Sequence, residues 1–492
     1  MQKGTITKLI IFLILASFEC LGVNASSKEP PFLRISIEKE PVTLDWQGYR
    51  SVTDRLITGF IMRGLMTHGP TGKPICDLCE SYTIHPKGKR LEFRLKRGIQ
   101  WSDGVSLVAE HFVHGFTRLL NPDHGFFAAK LYSEIQSVRH QGKTTLIIEL
   151  SKPSAQILDL LTLPPSYPVR KTFAAKAKQD QGEWMAREAV LGPYFLAEWD
   201  HGKRIVIEGN PKYKGERPVY RVEFIVGSHD ELIEKFKSGK LDILRNPTTD
   251  EILKFKSAQV GVSPFWATRL LLLNDTQKPF HELAMRQAIK TLLDTQALPS
   301  LLKNGERIAT GLIPPGVEGY EPLKPSRKTQ QDVKKAQAIR HRLVPWAQEI
   351  KLDLLITSDQ SERRIANWLQ QELKKVKMNV EVTEVKNKTY FEKLENQSFQ
   401  AAILTHGFQT SHPMDLLQLL ARPTTIERLN ESISPMVFSE RLKKALDQLE
   451  NQEVIVIPLG FPSQPYLLGR RVKTFEMTPF GEPDLLKIEV KN

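Results

Sequence analysis

The chain has 492 residues, of which 40% are hydrophobic and 25% are charged, and its formal net charge is +13. A chain of this length exceeds what one hydrophobic core supports, so we expect two or three lobes. The 69 Lys and Arg residues are scattered through every segment. This scatter argues against nucleic acid as a partner and fits solubility or attraction to anionic surfaces and ligands.

The N-terminus has the three parts of a secretory signal peptide. A basic start precedes an apolar run over residues 9–18, and a small-x-small cleavage site ends at Ala25. The apolar run is too short to cross a bilayer comfortably, and the residues before Cys20 do not fit a lipoprotein site. We therefore predict a cleavable signal peptide over residues 1–25 and export to the periplasm.

Cys76 and Cys79 form a C-x-x-C motif in the mature chain. Such a motif can be a redox pair, half of a zinc site or a structural bridge. No second C-x-x-C and no well-spaced pair of histidines completes a zinc site, and no βαβ pattern surrounds the motif. Export to an oxidising compartment favours a disulfide between the two cysteines.

Hydrophobic periodicity predicts strands and helices that alternate along the chain. The predicted strands cover residues 33–37, 91–95, 144–150, 204–208, 221–226, 241–244, 269–274, 352–357 and 380–385. The predicted helices cover residues 52–65, the segment that stops before Pro122, residues 230–237 and residues 361–376. The whole pattern is typical of a mixed α/β protein.

The last strand–helix–strand unit carries two more specific expectations. Because a βαβ crossover joins parallel strands, the strands at 352–357 and 380–385 are expected to pair in parallel. Ser361 is expected to cap the helix between them, since its hydroxyl can accept a hydrogen bond from the first turn.

Trp101-Ser102-Asp103-Gly104 forms a turn between the strand at 91–95 and the amphipathic helix before Pro122. This arrangement resembles the signature region of extracellular solute-binding protein family 5, the oligopeptide- and dipeptide-binding proteins of ABC transporters. Other blocks that resemble the family are Gly72-Lys73-Pro74, Leu191-Gly192-Pro193-Tyr194-Phe195-Leu196, Gly209-Asn210-Pro211-Lys212-Tyr213, Arg286-Gln287-Ala288 and residues 454–459. The resemblance extends along nearly the whole mature chain.

The resemblance implies an α/β fold like that of type II periplasmic binding proteins, with three lobes, two of which close on a ligand cleft by hinge motion. Lobe I would combine residues 26–62, 170–268 and 466–492. Lobe II would be an insertion over residues 63–169, and lobe III would cover residues 269–465.

The resemblance also places candidate ligand contacts in the first half of the chain. Val52 falls where oligopeptide binders have a ligand-contacting valine, and Arg50 falls where they have an acid. Phe127 falls where they have a cleft tyrosine. Trp101 is expected to pack in the core instead of binding ligand, because it directly precedes a tight turn.

A second group of candidates lies at residues 406–411, which resemble the family's G-W-x-A-D motif. Gly407 matches the glycine, Phe408 replaces a pocket-lining tryptophan, and Ser411 replaces an aspartate that pairs with the ligand's α-amino group. A buried ammonium needs a charged partner, so these exchanges, with Arg50 in place of an acid, predict an acidic or amine-blocked ligand. The alternative is that Asp415 takes over the role of the aspartate.

The predicted function is the periplasmic substrate-binding component of an ABC importer. It would bind a peptide or peptide-like ligand as a monomer and deliver it to permease subunits in the inner membrane, without catalysis, cofactor or metal. One alternative is a receptor for a metal chelate, haem or another non-peptide ligand. Another is an exported redox protein that uses Cys76 and Cys79.

Overall fold

The computed structural model describes most of the chain. The described residues are 31–174, 182–256, 259–322, 328–345, 348–431 and 435–491. The predicted signal peptide at residues 1–25 and its cleavage site lie outside these ranges.

The largest sheet has seven strands. In spatial order the strands are Val260–Pro264, Ser463–Leu468, Ile243–Arg245, Phe32–Ile37, Arg221–Val226, Arg204–Gly209 and Tyr194–Asp200. Phe32–Ile37 pairs in parallel with Arg221–Val226. Val222 and Phe224 are fully buried at the centre of this seven-stranded sheet, as expected of apolar residues in a central strand.

A four-stranded antiparallel sheet contains the segment around the Trp101 turn. Its strands, in spatial order, are Cys79–Ile84, Arg90–Leu95, Thr145–Leu150 and Ile135–Gln141. The helix Ala109–Leu120 buries Phe112 and Phe116 against this sheet. Trp101 is fully buried, which confirms that it packs in the core.

A five-stranded sheet lies in the C-terminal half of the chain. Its strands, in spatial order, are Met378–Glu384, Ile350–Ile356, Ala401–Gly407, Ala267–Leu273 and Val456–Gly460. Ile350–Ile356 and Met378–Glu384 pair in parallel, which confirms the predicted βαβ crossover. The helix between them is Gln360–Lys374.

The predicted N-cap of that helix is wrong. Asp359, not Ser361, is the cap, and its carboxylate accepts the backbone N–H of Glu362 at 2.9 Å. Ser361 already lies inside the first turn, so its own backbone is helical and its hydroxyl cannot take the capping position.

The remaining elements surround these sheets. The other α-helices are Val52–Ile61, Ile157–Leu160, Lys171–Ala174, Glu183–Glu188, His229–Lys237, Thr249–Ile252, Leu283–Leu292, Leu298–Leu302, Gln330–Leu343, Asn387–Glu395, Met414–Leu420, Pro423–Asn430 and Pro435–Asp447. Short 3-10 or π turns occur at Pro122–His124, Phe127–Tyr132, Pro164–Ser166, Thr295–Ala297 and Gln448–Gln452. Two-stranded pairs join Met66–His68 to Pro74–Cys76 and Val472–Thr474 to Glu489–Val490.

The hydrophobic cores divide the chain into two bodies. One continuous cluster includes residues of both the seven-stranded and the four-stranded sheet, such as Ile35 and Phe93. The five-stranded sheet has separate clusters on its two faces. The chain passes from one body to the other at residues 265–266 and again at 461–462. Two short crossings between separately packed bodies are the geometry of a hinge.

Candidate ligand-binding site

The loop over residues 407–415 follows the strand Ala401–Gly407 and faces the other body of the protein. Phe408 begins it, with its N–H donating to the carbonyl of Trp266 at 2.8 Å and its side chain only 2% exposed. A Cβ at Gly407 would lie 3.2 Å from Cζ of Phe265, so the loop runs tightly over the first crossing. Phe408 is therefore packed in the core of the five-stranded sheet, where it fixes the start of the loop.

Ser411 connects this loop to the body that holds the four-stranded sheet. Its hydroxyl donates to Oδ1 of Asp159 at 3.2 Å, and its carbonyl accepts the N–H of Glu318 at 2.8 Å. Both Ser411 and Asp159 are buried. A carboxyl group from another segment thus lies beside Ser411, the residue that stands where the sequence motif has an aspartate. Asp159 comes from the short helix Ile157–Leu160, far from the motif in sequence.

Asp415, the residue that the sequence suggested as an alternative to the aspartate, contacts the backbone of the same loop. Its Oδ2 accepts the N–H of Gln409 at 2.5 Å, and its Oδ1 lies 4.0 Å from Nε2 of His406. Burial lowers the pKa of His406, so the imidazole is neutral near pH 7. Asp415 therefore holds the loop in shape through a backbone hydrogen bond.

A second contact joins the loop to the N-terminal segment. Tyr49 donates its hydroxyl to Oε1 of Gln409 at 3.0 Å, and Arg55 reaches the carbonyl of Gln409 at 3.4 Å. Arg55 is itself held by Glu482, 3.1 Å away. The loop thus touches the other body at two places, near Tyr49 and near Asp159.

The remaining predicted contacts are surface side chains. Val52 is 78% exposed at the start of the helix Val52–Ile61, and Phe127 is 80% exposed. Arg50 is also exposed, and its N–H donates to Asp54 at 2.8 Å. Among the described residues, no hydrogen bond or ion pair joins these three side chains to loop 407–415. Exposed apolar groups of this size are available to a ligand.

A cavity of about 260 Å³ lies between the two bodies beside Ser411. We call it the inter-body cavity; its polar lining includes Ser154, Glu318, His412 and Asn430, and its apolar lining includes Ile157 and Phe438. Ser154 and Ile157 belong to the body that holds the four-stranded sheet, and the other lining residues named here belong to the body that holds the five-stranded sheet. Opening of the hinge would therefore separate the two walls of the cavity.

Burial controls the charges around the inter-body cavity. It raises the pKa of Asp159 to about 7, with a further increase from the charge of Glu318, while the hydrogen bond from Ser411 lowers it. Burial also raises the pKa of Glu318, which Lys73 partly offsets. It lowers the pKa of His412 to about 3, so this imidazole is neutral at physiological pH.

Cys76 and Cys79 form the predicted disulfide. The bridge lies where the strand Pro74–Cys76 turns into the strand Cys79–Ile84. Cys79 is fully buried. This placement gives the motif a structural role at the edge of the four-stranded sheet.

The geometry of an inter-body site agrees with the comparisons with known proteins. The model of bacterial extracellular solute-binding proteins, family 5 middle, matches residues 73–427. The chain belongs to this family. It is 23% identical to oligopeptide-binding protein OppA of Bacillus subtilis, with 97% of each chain covered. It is also 23% identical to periplasmic oligopeptide-binding protein OppA of Salmonella typhimurium, with 92% of this chain and 90% of the relative covered.

Solved structures show the same fold. NikA from Brucella suis, in complex with Fe(III)-EDTA, has a TM-score of 0.83 at 18% identity and covers 94% of this chain and 100% of its own. OppA of Haemophilus influenzae, in complex with RPPGFSPFR, has a TM-score of 0.74 at 17% identity, with coverage of 94% and 99%. The family 5 chain therefore has the mixed α/β fold like that of periplasmic binding proteins.

No helix in the described ranges combines the length and apolar character needed to span a membrane. Within the same ranges, no three His, Cys, Asp or Glu side chains come together as a potential metal site.

The sequence analysis did not identify four residues at the site, namely Tyr49, Asp159, Glu318 and Asn430. One local signal pointed to Asp159, because it is the lone charge in the apolar run Ile157-Leu158-Asp159-Leu160-Leu161. A carboxyl in such a run is buried with the run, and buried charges are rare without a function or a partner. Glu318 and Asn430 lie in segments without such a signal.

Proposed function

We propose that the chain is the periplasmic substrate-binding component of an ABC importer and binds peptides or peptide-like ligands. The family supports this proposal, as do curated relatives that match over nearly their full length and are named as oligopeptide-binding proteins. The protein performs no chemistry on its ligand. It acts as a monomer after export through a cleavable signal peptide, delivers the ligand to permease subunits in the inner membrane, and does not bind nucleic acid.

We propose that each of the three lobes is built around one of the three large sheets. Lobe I would comprise residues 26–62, 170–268 and 466–492; this division is supported by the seven-stranded sheet, whose strands fall in these ranges apart from residues 463–465. Lobe II comprises residues 63–169 around the four-stranded sheet. Lobe III comprises residues 269–465 around the five-stranded sheet. The crossings at 265–266 and 461–462 allow lobe III to move as one body relative to the other two.

One observation carries the proposal most directly: a single loop of lobe III reaches both other lobes. Gln409 accepts the hydroxyl of Tyr49 at 3.0 Å, and Ser411 donates to Asp159 at 3.2 Å. Both contacts exist only when the bodies are close together. A ligand that adds contacts in this arrangement shifts the population towards the closed form, which is how a clamshell binding protein works.

The candidate residues divide into two roles in this mechanism. Arg50, Val52 and Phe127 are exposed and contact the ligand directly. The second group shapes the loop that closes over the ligand; it consists of Gly407, Phe408, Ser411 and Asp415. Main-chain hydrogen bonds and bridging waters in the cleft would accept many peptide sequences.

Mass spectrometry of the gently purified native protein tests the function. We expect masses of short peptides that leave on acidification and that rebind to the ligand-free protein. A metal chelate or haem among the released molecules would contradict the peptide assignment and favour the receptor for a non-peptide ligand. A protein that releases no peptide and binds none from a defined tripeptide library would contradict the proposal altogether.

A further inference from the structure

The net charge of +13 has no role in the function proposed above, and one part of it is concentrated at a corner of the four-stranded sheet. Arg94 lies on the outward face of the strand Arg90–Leu95, and Lys96 and Arg97 follow directly after this strand. All three side chains are exposed. In the described parts of the chain, none of the three forms an ion pair or a side-chain hydrogen bond.

Other basic side chains of the same sheet do have acidic partners. Arg90, at the other end of the same strand, lies 3.4 Å from Glu92. Arg139, on the strand Ile135–Gln141, lies 3.3 Å from Glu149. The lack of partners is therefore a local property of the corner.

The unpaired cations surround a concave surface. Five side chains line a cavity of about 590 Å³, namely Glu80, Arg94, Lys96, Arg97 and Ile99. A fourth cation approaches from the loop after the strand Arg204–Gly209, since Nζ of Lys214 lies 3.3 Å from the position of a Cβ at Gly98. Among these five charged side chains, four are positive and one is negative. We call Arg94, Lys96, Arg97 and Lys214 the basic corner.

The backbone holds the basic corner in a fixed shape. Arg94 lies in a strand that is paired on both sides. The N–H of Lys96 donates to the carbonyl of Leu78 at 2.9 Å. Gly98 has a φ of 75°, which glycine adopts without strain and which turns the chain directly after the cations. A rigid frame lowers the entropy cost of binding at this surface.

An exposed apolar side chain lies close to the basic corner. Ile99 begins a short hairpin, in which the N–H of Leu107 donates to the carbonyl of Ile99 and the N–H of Trp101 donates to the carbonyl of Val105, both at 2.9 Å. Val105, near the tip of this hairpin, is 40% exposed. Cations beside an exposed apolar group suit the interface of an anionic membrane, where phosphates attract the cations and the apolar group enters the headgroup layer.

We propose that the basic corner binds the phosphate groups of anionic phospholipids at a membrane surface, with Val105 against the headgroup layer. This inference goes beyond the proposed function and does not depend on it. A concave group of cations attracts anions from solution, and the guanidinium groups of Arg94 and Arg97 match the geometry of phosphate oxygens. The cavity is larger than one phosphate ion requires, which favours a lipid surface over a free ion. Because each cation contributes little, binding is weak and reversible.

Sedimentation with lipid vesicles tests the proposal. The probes are vesicles of phosphatidylcholine that contain about 30% phosphatidylglycerol, and vesicles of phosphatidylcholine alone. We expect the purified protein to bind the anionic vesicles at about 50 mM salt, to leave them at about 500 mM salt, and to ignore the neutral vesicles at both. Binding to neutral vesicles, or failure to bind anionic vesicles at low salt, would overturn the proposal.

A charge-matched pair of variants localises the binding. The test variant combines three substitutions at the basic corner: Arg94→Gln, Lys96→Gln and Arg97→Gln. The control removes the same charge from three exposed lysines, one in each lobe: Lys130→Gln, Lys254→Gln and Lys386→Gln. The test variant should bind anionic vesicles about a hundredfold more weakly, about fivefold for each charge, and the control should bind nearly as the unmodified protein does. Equal losses in the two variants would mean that overall charge drives the binding, and they would reject the basic corner.

Calorimetry with inorganic phosphate separates a lipid surface from a free ion. We expect no saturable binding of inorganic phosphate with a Kd below about 1 mM. A saturable site that the test variant loses would show that the basic corner takes a free phosphate ion, and it would reject the lipid assignment. Peptide affinity should be the same in the test variant and the unmodified protein, so the vesicle result and the proposed function are judged separately.

A fluorescent label locates the contact without changing the basic corner, and it decides the case in which the test variant does not fold. An environment-sensitive fluorophore at Val105→Cys should shift its emission to shorter wavelength when anionic vesicles are added. The matched control is Phe391→Cys, because Phe391 is an apolar side chain of lobe III that is 58% exposed, and its label should show no shift. Equal shifts at the two positions, or a shift at Phe391 alone, would contradict the proposal.

Discussion

The hydroxyl of Ser411 donates a hydrogen bond to Oδ1 of Asp159 at 3.2 Å, although the two residues are 252 positions apart in the chain. The contact joins the loop after the five-stranded sheet to a short helix after the four-stranded sheet. It lies next to the inter-body cavity and connects the two bodies that hinge motion would separate. The charge and the hydrogen bonds of this contact therefore govern both stability and closure.

The first prediction concerns pH. The pKa of Asp159 is about 7 in the folded protein, above its ordinary value of 3.8, so the folded state holds this proton more tightly than the unfolded chain. The stabilisation that protonated Asp159 contributes to the folded state is complete below about pH 4 and is lost as pH rises towards and through 7. Asp159→Asn should remove that part of the pH dependence, a few kcal/mol at most.

Urea unfolding at pH 5 and pH 8 measures this effect. The unmodified protein should lose stability from pH 5 to pH 8 because Asp159 ionises, and Asp159→Asn should lack this loss. Asp200→Asn, a control at a carboxylate that pairs with Lys203, should lose stability as the unmodified protein does. Glu318 is the nearby charge that raises the pKa of Asp159 further, and the imidazole of His412 stays neutral over this range. Parallel pH profiles for the unmodified protein and Asp159→Asn would contradict the assignment.

The second prediction concerns the hydrogen bond itself. Ser411→Ala removes the donor to Asp159 and should cost about 1–3 kcal/mol, because the remaining carboxyl group is buried. Ser411→Asp places a second carboxyl beside the first and should be more harmful at pH 8 than at pH 5, since like charges disfavour joint ionisation. Denaturant unfolding of both variants provides the measurement; a Ser411→Asp variant that is as stable as the unmodified protein at pH 8 would count against this arrangement.

The third prediction concerns closure near the N-terminal segment. Tyr49→Phe keeps the ring and removes the hydroxyl that Gln409 accepts, so the closed form loses about 0.5–1.5 kcal/mol. Ligand affinity should fall by up to about tenfold, as titration calorimetry with the co-purified peptide would record. Tyr82→Phe, in the strand Cys79–Ile84, is the control and should bind normally. Equal affinity of the two variants would exclude a role for the Tyr49 contact in closure.

The fourth prediction separates structure from redox chemistry at Cys76 and Cys79. Replacing both with alanine opens a very short loop, which should cost about 2 kcal/mol of stability and leave ligand affinity unchanged. Native thiol titration of the unmodified protein should find no reactive pair, because the cysteines are bridged. A variant that folds normally but loses binding, or a bridge that exchanges rapidly with thiols, would support the redox alternative.

The fifth prediction tests the corrected helix cap. Asp359→Ala removes the side chain that accepts the N–H of Glu362 and should cost about 1 kcal/mol. Ser361→Ala, two residues later, should change stability by less than about 0.5 kcal/mol. Thermal unfolding of the pair measures the difference, and the reverse order would restore Ser361 as the cap.

Local patterns in the sequence predicted helices and strands well where the hydrophobic periodicity ends at a residue that breaks secondary structure, such as proline. The strand predicted at 221–226 is Arg221–Val226, and the helix that stops before Pro122 is Ala109–Leu120. The parallel crossover also followed from local order. The helix predicted at 230–237 is His229–Lys237.

The candidate site was harder to predict because its contacts join distant segments. Ser411 could be found from its motif, but the nature of its partner depends on how three lobes pack together. Asp159 and Glu318 meet the loop through tertiary contacts that no local spacing encodes. The carboxyl group of Asp159 beside Ser411 was consequently not predicted, although the apolar run around Asp159 contained a clue.

Closure on a ligand is the central claim, and a distance measurement between spin labels tests it most directly. Labels at Arg139→Cys in the four-stranded sheet and Lys388→Cys beyond the five-stranded sheet lie on exposed side chains of the two bodies. Double electron–electron resonance spectroscopy should give a broad distribution of distances between the labels without ligand, and a shorter and narrower distribution with saturating co-purified peptide. An identical distribution in both states, with binding confirmed by calorimetry in the same sample, would contradict the account.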